Sequence, residues 1–66
     1  MNKELYKAVL ANVTTLEEYM TGIEDLYRTE INTTYNTELL TLDRMVWHVQ
    51  SRIEELRNHI EGMLSA

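Results

Sequence analysis

The chain has no cysteine, so no disulfide braces it, and the absence fits a reducing compartment. It has no proline and only two glycines, which excludes the turn-rich composition of a small β domain. It also lacks an excess of positive charge. Six Lys and Arg residues stand against eleven Asp and Glu, giving a formal net charge of −5. That sign argues against a general binder of nucleic acid or of an anionic membrane. The imbalance is too small to make a nucleic-acid mimic. No apolar run approaches the roughly 20 residues that a transmembrane helix needs, and the first residues carry no signal-peptide apolar core. The location expected is therefore the cytoplasm, either of the producing cell or of a host cell.

Sixty-six residues make a single domain, residues 1–66. So short a chain buries a small share of its surface and needs a brace. With disulfides excluded, association with other chains is the route left.

What the chain does have is periodicity. Over residues 39–63 the apolar positions are Leu39, Leu42, Val46, Val49, Ile53, Leu56, Ile60 and Met63, separated by alternating steps of three and four. With Leu39 at a, this is an a/d heptad seam without a polar interruption, and a helix carrying it must lay it against another helix. Residues 3–29 repeat the pattern with Tyr6, Val9, Val13, Leu16, Met20, Ile23 and Tyr27. With Tyr6 at a, Leu5, Tyr19 and Leu26 fall at g and Leu10 at e. The apolar face is wider than a two-stranded coiled coil uses and suits a bundle of three or more helices.

Between the segments, residues 32–37 include five Asn or Thr residues. These are mediocre helix formers whose side chains compete for backbone hydrogen bonds. The heptad phase slips at the same place. Asn36 or Thr37 is positioned as the N-cap of the second helix, with Glu38 in its first turn. The competing reading is one long helix, since Tyr27, Ile31, Tyr35 and Leu39 are spaced by four. Inside the first segment, Thr14 with Glu17 and Thr15 with Glu18 form two overlapping capping-box patterns. A kink near 12–15, or a separate short helix over 3–12, is the alternative they raise. The heptad phase runs unbroken through them, which favours one helix.

The fold expected is thus all-α: an antiparallel hairpin with a helix over 3–30, a turn over 31–37 and a helix over 38–64, dimerising into a four-helix bundle. Folding about residues 33 and 34 sets Val13 beside Ile53 and Tyr6 beside Ile60.

Some apolar residues lie outside both seams. Leu40 and Trp47 share the b position of the second helix, and Tyr19, Leu26 and Met45 lie at g. These five are the candidate oligomer interface. Glu17, Glu18, Glu24, Asp25 and Glu30 crowd the second half of the first helix and are the candidate docking face for a partner protein. Gly22 falls at c in mid-helix. His48 at c and His59 at g do not form the inward Glu-x-x-His pairs of a bundle metal site, so no metal is expected. No catalytic residue or cofactor site is assigned, and no enzymatic activity is expected. Nothing points to a nucleic acid or a membrane as partner. The expected function is a small acidic homo-oligomeric interaction module: an adaptor, regulator or inhibitor. A helical oligomer that sequesters a small molecule and a self-assembling scaffold part are the alternatives.

Overall fold

A computed structural model describes residues 2–65 of the chain. Two helices, α1 (Lys3–Thr33) and α2 (Thr37–Ser65), pack against each other as an antiparallel hairpin. The chain turns at 34–36, where the Asn/Thr cluster and the phase slip fall.

Each helix begins on an asparagine. Asn2 Oδ1 accepts from the Leu5 N–H at 3.0 Å, and Asn36 Oδ1 accepts from Glu38 N–H at 2.9 Å and Leu39 N–H at 3.2 Å. These bonds satisfy N–H groups that have no partner within the helix. At the end of α1, Thr34 adopts extended backbone at φ −137°, ψ 128°, and its N–H donates to Glu30 O at 2.9 Å. Among the described residues none has a positive φ. The chain leaves α1 through extended rather than left-handed backbone, so the turn works without glycine.

The helix is continuous through 12–15, and neither capping box forms. Thr14 Oγ1 donates to Leu10 O at 3.1 Å and Thr15 Oγ1 to Ala11 O at 3.2 Å. A hydroxyl bonded back to the carbonyl four residues earlier does not accept from the N–H ahead of it, which is what a cap requires. Thr33 does the same to Thr29 O at 2.9 Å, within the last turn of α1.

The line of contact differs from the expected a/d seam. Among the described residues four are buried: Val13, Tyr27, Val46 and Ile60, all at a. The half-buried residues beside them sit mainly at e: Leu10, Glu17, Glu24 and Ile31 on α1, and Asp43, Gln50, Arg57 and Leu64 on α2. The d residues Val9, Leu16 and Ile23, with Leu42, Val49 and Leu56, are all classed as exposed. Each helix is therefore rotated by about 50° from the a/d pairing, half the angle between successive residues. Cross-helix polar contacts hold that rotation. Arg57 Nη1 donates to Glu17 Oε2 at 3.0 Å, and the Tyr27 hydroxyl donates to Asp43 Oδ1 at 2.7 Å. The same two contacts displace α2 along α1 by one to two turns from the pairing of Val13 with Ile53.

The hairpin is a rod of 50 × 15 × 13 Å. Its radius of gyration is 15.3 Å, against about 11 Å for a globular domain of this length. No third layer covers either flat side.

Candidate functional site

The rotation onto a/e determines what stays outside. In an antiparallel pair the two helices wind in opposite senses when viewed from one end. The d and g positions of both therefore fall on one side of the hairpin, and the b and f positions on the other.

On α1 the d/g side presents Leu5, Val9, Leu16, Tyr19, Ile23 and Leu26, all exposed. On α2 it presents Leu42, Met45, Val49 and Leu56. No charged residue occupies a c, d or g position of α1 between Leu5 and Thr29. Gly22 belongs to this strip and leaves open space where a side chain would stand. A shallow groove of about 630 Å³ runs along it, lined by Thr15, Glu18, Tyr19, Gly22, Ile23 and Leu26. The α2 half carries one ion pair within the strip, Arg52 with Glu55 at 3.3 Å, and near the turn the side also holds Glu30 at d of α1 and Glu38 at g of α2. The result is a largely uncharged apolar face contributed by both helices.

The b/f side is different in kind. Trp47 is 61% exposed and stands between two smaller grooves. One is lined by Glu17, Met20, Gln50 and Glu54, and the other by Glu24, Leu40, Asp43 and Arg44. The indole meets His48 edge-on, with ring centroids 5.5 Å apart. Four carboxylates thus surround the one exposed tryptophan.

The five residues assigned from sequence to an oligomer interface do not lie together. Tyr19, Leu26 and Met45 belong to the d/g side, and Leu40 and Trp47 to the b side. The six exposed d residues were assigned to the hairpin seam and so were missed as surface. The sequence signal beside them is the charge at e, where Glu17 and Arg57 pair across the two helices.

The acidic residues also divide. Glu17 and Glu24 sit at e, half-buried, bonded to Arg57 and Arg28. Glu18, Asp25 and Glu30 are exposed and make no ion pair among the described residues. Arg57 is the hub of the polar line. Besides Glu17, its Nη2 lies 3.9 Å from Glu54, and its buried Nε faces Glu61 at 3.3 Å without hydrogen-bond alignment.

Among the described residues Tyr27 is the one strongly perturbed group. Burial pushes its phenol up to about 12, reinforced by the hydrogen bond to Asp43 and the negative charges of Asp43 and Glu24. A phenol held protonated as a donor between two helices is a structural lock.

Among the described residues no group of three or more His, Asp or Glu side chains converges on a metal-sized site. Among them, too, no helix is long and apolar enough to cross a membrane. No protein-family model matches the chain, and no curated protein or solved structure is significantly similar to it.

Proposed function

We propose that the protein is a small acidic interaction module that acts by occupying a surface on another protein, as an adaptor, regulator or inhibitor. In this reading the hairpin self-associates, in the simplest case as a homodimer closing a four-helix bundle. It is not an enzyme and needs no cofactor, and it works in the cytoplasm of the producing cell or of a host.

The observation that carries the reading is the apolar side that the hairpin leaves uncovered. Contiguous exposed apolar faces mark surfaces where another chain docks. Of the candidate interface residues, Tyr19, Leu26 and Met45 are exposed on that side, which supports association through it, and Leu40 and Trp47 are exposed on the opposite side. The acidic residues Glu18, Asp25 and Glu30 support the partner half of the proposal, as unpaired carboxylates suited to a basic surface on the partner protein.

Native mass spectrometry of the protein purified from its own cells tests this. A multiple of the 7.8 kDa chain mass, with a second protein bound, is the expected result. A retained small molecule would replace the proposal with sequestration, and a ladder of ever larger species would replace it with a scaffold.

A further inference from the structure

We infer that a second copy of this chain covers the d/g side, and that Trp47 stays on the outside of the resulting dimer. This rests on the self-association proposed above and names the surface that performs it.

Area comes first. The hairpin exposes 5207 Å², whereas a folded monomer of its mass exposes about 4400 Å². The excess, about 800 Å², matches what one partner loses in an interface of standard size. Most of the large apolar residues that the hairpin exposes stand on the d/g side. Six exposed d residues lie there, three from each helix, flanked by Tyr19, Leu26 and Met45.

Charge comes second. Two copies carrying −5 each repel, so they can meet only where the charge is remote. On the d/g side the α1 strip is uncharged from Leu5 to Thr29, Arg52 and Glu55 of α2 pair with each other, and the other two charges, Glu30 at d and Glu38 at g, stand at the turn end of the rod. Glu18 stands at the f rim of the groove and Asp25 at f, and salt, with a screening length of about 8 Å at physiological strength, weakens their repulsion between copies. On the b/f side the opposite holds. Copies meeting there would bury the ion pairs of Glu17 and Glu54 with Arg57 and of Glu24 with Arg28, together with Asp43 and Arg44, of both chains around Trp47. The d/g side is therefore the one that a copy of the same chain can cover.

Shape agrees. Two rods of 15 × 13 Å cross-section laid face to face place four helices around one core, with a and d residues inside and the Glu17–Arg57 line at its edge. The wide apolar face of α1, excessive for a pair, is then fully used.

Trp47 is the only tryptophan, so the unmodified protein carries its own probe. The experiment combines sedimentation equilibrium with acrylamide quenching of Trp47 fluorescence over a concentration series, for wild type, Leu16→Glu and Trp47→Glu. The expected result is a wild-type mass of twice 7.8 kDa, with Trp47 as quenchable in the dimer as at the lowest concentration. Leu16→Glu halves the mass and Trp47→Glu leaves it unchanged. Added salt strengthens the wild-type dimer by screening the repulsion.

A wild type that stays monomeric overturns both this inference and the self-association beneath it. A wild-type dimer in which Trp47 becomes shielded, or which Trp47→Glu dissociates, overturns the choice of face and leaves self-association standing. A dimer that survives Leu16→Glu does the same. If Leu16→Glu does not fold, the quenching of the wild type decides alone.

Discussion

Ile60 and Leu56 are large aliphatic residues one turn apart on α2, and each belongs to its heptad seam. Ile60 is 4% exposed and Leu56 is 44% exposed. Truncating them to alanine separates the contact of the hairpin from the contact of the assembly. Ile60→Ala removes fully buried atoms between two helices. Large-to-small core changes cost about 2–5 kcal/mol, and a site between only two helices collapses easily, so about 2–3 kcal/mol is expected. Leu56 is about half buried in the hairpin. Full burial of such a side chain stabilises by about 1.5–3 kcal/mol, so Leu56→Ala is expected to cost about 1 kcal/mol in the monomer. The assay is urea unfolding followed by far-ultraviolet circular dichroism at two protein concentrations 100-fold apart. The loss from Ile60→Ala should be the same at both. The loss from Leu56→Ala should grow at the higher concentration, where association binds the folded state. Equal losses for the two variants at the lower concentration would mean that d residues are as buried as a residues in the hairpin itself. The a/e contact, and the surface argument built on it, would then be wrong.

Tyr27→Phe should remove a pH dependence. The folded-state pKa of Tyr27 is raised from 10.0 to about 12, so its contribution is fully present below pH 10 and is lost as pH rises toward 12. Wild type should lose stability over that window more steeply than the Phe variant in melts at stepped pH, and coincident curves would refute the lock. A double-mutant cycle on Glu17→Gln and Arg57→Met should give a coupling of about 0.5–1 kcal/mol that shrinks in high salt, because the pair is only half-buried. A coupling of zero would leave the Tyr27–Asp43 hydrogen bond as the one polar contact holding the a/e rotation. Asn36→Ala strips two N–H groups of their acceptor and should cost about 1 kcal/mol in a thermal melt, with the loss of helix signal concentrated at the start of α2. An unchanged midpoint would show that the turn is set by backbone alone.

The local level of this fold was legible in the residues. Alternating steps of three and four specified two helices, the Asn/Thr cluster marked the turn, and the cap was narrowed to Asn36 or Thr37, because periodicity and capping act over one or two turns of chain. The capping boxes at Thr14 and Thr15 were misleading for the same local reason: in mid-helix their hydroxyls had carbonyls behind them to bond. What no single helix could specify was rotation about its own axis. An apolar face spanning a, d, e and g can turn several ways toward a partner with little change in buried area. The choice fell to pairs 40 and 16 residues apart, Glu17 with Arg57 and Tyr27 with Asp43, which meet only once the chain has folded back. Those two contacts turned the d residues outward, set Trp47 on the opposite side among carboxylates, and so determined which face of the hairpin is free to meet another chain.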